Sequence, residues 1–364
     1  MDFCKKEAVF TVAVLLAVFS CFFVPLSREY LSYPDYRVLA LLFCLMLIVA
    51  GIRELGVFRL MGEKLTARVG DSRGLELVLV LLCFFSGMLI TNDVALITFV
   101  PFGLELLAST GMEKRSIRVV VLQTIAANLG SMLTPVGNPQ NLYLYSLMGL
   151  SLGEFVLIML PLTAASLVLL LGIILTGKKE PAKVDKKSGG TLQDKKRLAL
   201  LLVLFIICLG SVVRIVPWQA SLVIVCIAAL LTCRELFAKV DYCLLGTFMG
   251  FFIFVGNMQN IPAVRELIES LLSGRELLIS VAASQIISNV PAAMLLSGFT
   301  GQYKELLYGV NIGGLGTLIA SLASLISYKY YCVRPDADKG GYLKQFTLWS
   351  ILFLALLLTL AAIL

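Results

Sequence analysis

The stretch "ANLGSMLTPVGNPQN", residues 127–141, interrupts an otherwise apolar chain. It sets Gly130, Pro135, Gly137 and Pro139 among Asn128, Asn138, Gln140 and Asn141. Glycine and proline are poor helix formers, and side-chain amides need hydrogen-bond partners. In hydrocarbon the backbone must be satisfied internally. Non-helical backbone therefore survives only where it lines a cavity or is buried in protein.

The surroundings are those of a polytopic membrane protein. Of the 364 residues, 59% are hydrophobic and 15% charged. Mean hydropathy is +0.95. Apolar runs of spanning length recur from end to end, which predicts an all-α protein of the cytoplasmic (plasma) membrane with one membrane domain. The first run, 8–25, follows Lys5 and Lys6 and reads as a retained helix, because no small-residue cleavage site stands out near 22–27. Nine cysteines are scattered without a CxxC motif and read as small hydrophobes. Histidine is absent, which removes the usual metal ligand and the usual proton carrier near neutral pH. No metal cluster and no nucleophile–base pair is recognisable, so no enzyme and no resident cofactor are expected. The net charge of +7 gathers in a few loops, where it reports orientation and does not suggest nucleic acid.

The segment 177–197, "GKKEPAKVDKKSGGTLQDKKR", carries eight Lys/Arg and reads as a flexible cytoplasmic linker. Working outward from it puts the N-terminus inside. Helix 8–25 goes out and 37–52 returns to an inside loop with Arg53, Arg59, Lys64, Arg68 and Arg73. Residues 75–110 leave and return on the same side. Residues 116–147 cross outward, interrupted by the opening stretch, and 154–177 come back. Helices 197–213, 218–232 and 243–258 then alternate, 262–276 looks interfacial, and 277–300 enter and leave from outside. Residues 303–328 cross inward, again interrupted, and 346–364 ends outside. The count is nine crossings plus two re-entrant hairpins.

An internal repeat underlies this order. "ITNDVA" (90–95) aligns with "ISNVPA" (287–292), and "NLGSMLTPVGNPQN" (128–141) with "NIGGLGTLIASLAS" (311–324). Asn128, Gly130 and Thr134 match Asn311, Gly313 and Thr317; Asn138 faces Ser321, and Asn141 faces Ser324. The chain divides into repeat one, 1–177, with hairpin 75–110 and broken helix 116–147; a linker and connecting helix, 178–217; and repeat two, 218–364, with hairpin 277–300 and broken helix 303–328. Five crossings separate the starts of the halves, so the second is inverted. Inverted repeats with interrupted helices are the layout of a secondary transporter, in which half-helix N-termini face anions and freed carbonyls hold cations.

The candidate site follows from that layout. Asn92 and Asn289 sit at the hairpin tips, where each either caps the following arm or also touches substrate or ion. Asp93 is the one acidic residue placed deep in the membrane, a costly position that marks a coupling group, or else an N-cap facing a wet vestibule. Its counterpart is Val290. Substrate binding is assigned to Thr91, Asn92, Asn138, Ser288, Asn289 and Thr317. Ion coupling is assigned to Asp93, Asn128, Gly130, Ser131, Thr134, Asn141, Asn311, Gly313, Ser321 and Ser324, with Na⁺ or H⁺ as the coupling ion. Any one of the hydroxyls could instead bond back to its own helix. No basic residue is predicted at the midplane.

These residues resemble a known family. "TND" (91–93), the opening stretch, "SQIISNVP" (284–291) and "VNIGGLGTLIASLASL" (310–325) are similar to the ion transporter superfamily, closest to its arsenite permease and citrate-transporter-like branches and more distantly to its divalent-anion/sodium symporters. The resemblance spans nearly the whole chain. It implies a scaffold and a transport domain, a homodimer and elevator-type movement. It also implies substrate contact at Asn92 and Asn289, and cation sites near Gly130, Asn138, Gly313 and Ser321. The tips depart from the symporter pattern, reading Thr-Asn-Asp and Ser-Asn-Val. The main expectation is an ion-coupled secondary transporter of a small inorganic or organic anion. The alternative is a cation/proton antiporter using Asp93. A channel would need rings of like charge or carbonyls, which the sequence does not clearly contain.

Overall fold

A computed structural model describes residues 7–67, 69–181 and 194–364. Lys5, Lys6, Arg68 and most of the basic linker lie outside the described residues. Seventeen α-helices make up the described structure: α1 (Ala8–Ser20), α2 (Tyr36–Glu54), α3 (Val57–Thr66), α4 (Ser72–Ile90), α5 (Asn92–Ser109), α6 (Ser116–Ser131), α7 (Pro139–Met148), α8 (Leu152–Leu175), α9 (Lys195–Val212), α10 (Trp218–Thr232), α11 (Tyr242–Gln259), α12 (Pro262–Leu272), α13 (Glu276–Ile287), α14 (Asn289–Ser297), α15 (Tyr303–Ile312), α16 (Leu322–Cys332) and α17 (Lys339–Ala361).

Helix starts follow local chemistry. Asp35, Asp71, Asn138, Asp194, Asp241 and Asp338 each accept the backbone N–H three residues on, and Ser151 with Glu154 forms a capping box. Six described segments are long and apolar enough to cross a membrane: Arg28–Glu54, Ser72–Ile90, Asn92–Ser109, Leu152–Leu175, Tyr242–Gln259 and Lys339–Ala361. The chain is thus an all-helical polytopic membrane protein. Both arms of the first hairpin are among the six, whereas the arms of the second have 12 and 9 residues. The two hairpins are therefore unequal in length.

The first residues of the basic linker are held, contrary to the expectation of a flexible segment from 177 onward. The Ser72 amide donates to the Glu180 carbonyl at 2.8 Å, and Arg73 to the Gly177 carbonyl at 2.8 Å. Beside them, buried Glu76 accepts from Arg118 at 2.8 Å. The base of the first hairpin is thereby tied to α6 and to the end of α8. The eight described cysteines are all free.

Helices α9 and α10 pack on α2, and α1 packs on α11. The rest centres on the two hairpins: α4 and α5 pack on α6, and α13 and α14 pack on α15. The partners then cross over, with α5 against α16 and α14 against α7. Small residues permit the close approach of α4 to α6. A Cβ on Gly130 would lie 2.0 Å from the Phe84 carbonyl oxygen, an overlap with backbone that no rotamer relieves. A Cβ on Gly313 would meet the Gly309 carbonyl at 2.6 Å and the Ser284 side chain at 2.8 Å. Gly130→Ala is expected to cost about 3 kcal/mol or more, at the upper end of overpacking penalties. The control Gly153→Ala, at a helical site with open space around it, should be neutral or slightly stabilising. Thermal melting of the purified protein in detergent distinguishes the two.

Candidate functional site

Thr91 alone joins α4 to α5, and Ser288 alone joins α13 to α14. Their backbones are nearly identical, with φ 71° and ψ 149° at Thr91 and φ 74° and ψ 155° at Ser288. This region is essentially reserved for glycine and costs roughly 1–3 kcal/mol per residue, so surrounding contacts must hold it. The contacts that do so are paired. The Asn92 amide donates to the Gly137 carbonyl at 3.0 Å, and the Asn289 amide to the Ala320 carbonyl at 2.9 Å. The Thr134 hydroxyl donates to the Met88 carbonyl, and the Thr317 hydroxyl to the Gln285 carbonyl. Gly137 corresponds to Ala320 and Thr134 to Thr317 in the sequence alignment, so each tip docks on its own helix break through the same two bonds.

The breaks, 132–138 between α6 and α7 and 313–321 between α15 and α16, meet in a buried amide–hydroxyl network. Asn128 Oδ1 accepts from Asn92 Nδ2 at 2.9 Å and from Ser321 Oγ at 3.0 Å, while its Nδ2 donates to Ser324 Oγ at 3.1 Å. Asn311 Oδ1 accepts from Asn138 Nδ2 at 3.2 Å, while its Nδ2 donates to Asn141 Oδ1 at 2.7 Å. Each first-segment asparagine thus binds the two aligned residues of the other broken helix. Asn141 Nδ2 also reaches the carbonyls of Ser131, Met132 and Thr134, the groups released by the first break. Asn138 caps α7 and donates to Ser131 Oγ at 3.1 Å. Buried amides are nearly always hydrogen-bonded, and here they largely serve one another.

A cavity of about 180 Å³ opens beside the first tip, lined by α2 (Leu42 to Arg53), by Thr91 and Asp93, by Asn138 and Pro139 of the first break, and by Lys239 and Asp241. Asp93 lies in the first turn of α5, where its amide donates to Asn92 Oδ1 at 3.0 Å. Among the described residues its carboxylate makes no hydrogen bond or ion pair. A second cavity of about 250 Å³ is lined by Val290 and Pro291 of the other tip and by Lys329, and it shares Asp241 and Leu244 with the first. The aligned pair Asp93 and Val290 therefore lines adjoining cavities, one with a carboxylate and one without.

Of the residues assigned to substrate, Thr91 and Asn138 line the first cavity. Asn92 is locked into the network, and Ser288 and Asn289 are buried at the second tip. Thr317 is exposed and braces the outer side of the second break against Gln285. Of the residues assigned to the ion, Asn128, Ser131, Asn141, Asn311, Ser321 and Ser324 share the network, Gly130 and Gly313 pack behind it, Thr134 braces the first tip, and Asp93 faces the cavity. The reading missed Gln285. Its Nε2 donates to the carbonyls of Gly313 and Leu315 at 2.8 and 2.9 Å, and its Oε1 accepts from the Thr317 amide at 2.9 Å. An amide three residues before a hairpin tip was the available signal. It also missed Arg53, Lys239 and Asp241 on the cavity wall. Gln285→Leu removes three bonds from the second break and is expected to cost about 1–3 kcal/mol, since the freed groups are partly within reach of water. A melting temperature equal to wild type would show that Gln285 does not hold the break.

A family model described as citrate transporter matches residues 5–301. The inner membrane protein YbiR of Escherichia coli is 33% identical over 333 residues, covering 89% of this chain and 88% of that protein. An uncharacterized transporter of Methanocaldococcus jannaschii is 32% identical over 304 residues, covering 83% and 82%. A silicon efflux transporter of Oryza sativa is 32% identical over a shorter stretch of 155 residues, 43% of this chain and 31% of the rice protein. A buried polar centre in an all-helical membrane protein, joined to matches of this extent, identifies a membrane transporter: the chain belongs to the citrate transporter family of the ion transporter superfamily.

Proposed function

We propose that the chain is an ion-coupled secondary transporter that carries a small oxygen-rich anion by alternating access. The observation that carries this reading is the crossed network, in which Asn128 bonds Ser321 and Ser324 while Asn311 bonds Asn138 and Asn141. Matched bonds at aligned positions support two repeats that share one centre, and the distribution of basic residues supports an inverted arrangement with the N-terminus inside, the C-terminus outside and the hairpins re-entrant. The adjoining cavity supplies a place for cargo, and Asp93 supplies the titratable or cation-binding group. The hairpins and broken helices form a transport unit that moves as an elevator against a scaffold containing α1, α2, α9, α10 and α11, in a homodimer of the plasma membrane.

The names of the relatives bear on the cargo. The matching family is described by citrate, and the rice relative by silicon. Citrate is a small, oxygen-rich anion, suited to hydroxyls, amides and helix dipoles. Citrate is the first probe, followed by inorganic phosphate and sulfate. A second reading, exchange of Na⁺ for H⁺ at Asp93 with no anion, is favoured by that carboxylate's having no hydrogen bond or ion pair among the described residues.

The test is Asp93→Asn in proteoliposomes under an imposed Na⁺ or proton gradient. Driven uptake is expected to fall at least tenfold, or to continue downhill without response to the gradient, while the melting temperature stays near wild type. Driven uptake with unchanged pH and Na⁺ dependence would remove Asp93 from the coupling mechanism.

A further inference from the structure

Arg53 reads from the sequence as one of several basic residues in a cytoplasmic loop. The structure instead places it in the last turn of α2, half-buried, on the wall of the 180 Å³ cavity that also contains Thr91, Asp93 and Asn138. Its basic neighbours are already engaged. Lys239 Nζ lies 3.2 Å from Glu54, and Arg197 lies 2.6 Å from Glu235 and 3.7 Å from Glu54. Among the described residues the Arg53 guanidinium has no ion pair and no hydrogen bond. The guanidinium carries five donors and a fixed positive charge, none of them committed to an acceptor among the described residues. Asp93 lines the same cavity but is not ion-paired with it.

We propose that Arg53 is the charged anchor for the transported anion, gripping a carboxylate or other oxyanion through paired N–H donors from the α2 side while the Thr91 hydroxyl binds it from the tip. This inference deepens the proposed anion transport and rests on it. The guanidinium fork matches planar oxyanions bidentately, which lysine cannot reproduce. The charged groups lining the cavity are Arg53 and Lys239 against Asp93 and Asp241, which sum to zero. An anion entering alone would leave the cavity net negative, and a co-bound cation or proton at Asp93 restores neutrality. Arg53 stands on α2, whereas Thr91, Asp93 and Asn138 belong to the first hairpin and its break. The anion therefore bridges the two units, and the Arg53 contact exists only while the cavity is open towards Lys239 and Asp241.

The test is equilibrium binding of citrate, inorganic phosphate and sulfate to purified full-length protein. It compares wild type with Arg53→Gln, Arg53→Lys and the charge control Lys64→Gln, whose position lies outside the cavity. For whichever probe binds wild type, Arg53→Gln is expected to raise Kd at least tenfold and Arg53→Lys to raise it less. Lys64→Gln should leave it within twofold. The melting temperature without anion and its response to Na⁺ or pH should not change. Should Arg53→Gln fail to fold, Arg53→Lys decides, because loss of the bidentate fork alone must still weaken binding. An Arg53→Gln affinity equal to wild type, or a loss matched by Lys64→Gln, overturns the anchor while leaving anion transport intact. If wild type binds none of the three probes yet still responds to Na⁺ or pH, both the anchor and anion transport fall and the cation exchange reading stands.

Discussion

Everything in this molecule depends on satisfying backbone groups where water is scarce. Two helices stop inside the protein, at 132–138 and 313–321, and each stop releases carbonyls and amides that hydrocarbon cannot solvate. The chain answers with asparagine, whose amide both donates and accepts. Asn141 collects three released carbonyls of the first break, and Gln285 collects two of the second. Asn128 and Asn311 then tie each broken helix to the other. The hairpin tips add the last bonds through the Asn92 and Asn289 amides. Removing one member leaves partners unpaired in a low-dielectric interior, where such a loss costs most.

The same arrangement explains why strain is tolerated at the tips. A β-branched threonine and a serine hold a backbone suited to glycine, in matched geometry. A glycine would relieve the strain but would also loosen the tip. Tight docking on the breaks keeps Thr91 and Asp93 on the wall of the cavity. The central amides are largely committed to one another, which leaves Thr91, Asp93 and the basic group on α2 as the cavity-wall groups open to cargo in the proposed mechanism. The network is the frame, and the cavity beside it is the proposed working surface.

Much of this was legible in the sequence. The positions of the hairpins and broken helices follow from Gly, Pro and Asn clusters inside apolar runs, and the element boundaries differ by a few residues. The aligned pairs Asn128/Asn311, Asn138/Ser321 and Asn141/Ser324 are legible as polar groups at matched breaks, but the sequence assigns them to substrate and ion, whereas in the structure they bond one another. Distance along the chain hid the rest. Arg53 reads as a loop charge because hydropathy says nothing about which loop-end residues fold back over a cavity. Gln285 was inconspicuous within an apolar helix.

The central claim is that one buried centre couples an anion to a cation. The most direct measurement is the thermal stability of the purified protein across citrate, phosphate and sulfate, in Na⁺ against K⁺ and at two pH values. A ligand bound only by the folded state stabilises by about 2.7 kcal/mol at a hundredfold excess over Kd. The account predicts that one anion raises the melting temperature, and does so more in Na⁺ or at low pH than in their absence. Stabilisation by Na⁺ or pH alone, indifferent to every anion, would contradict it.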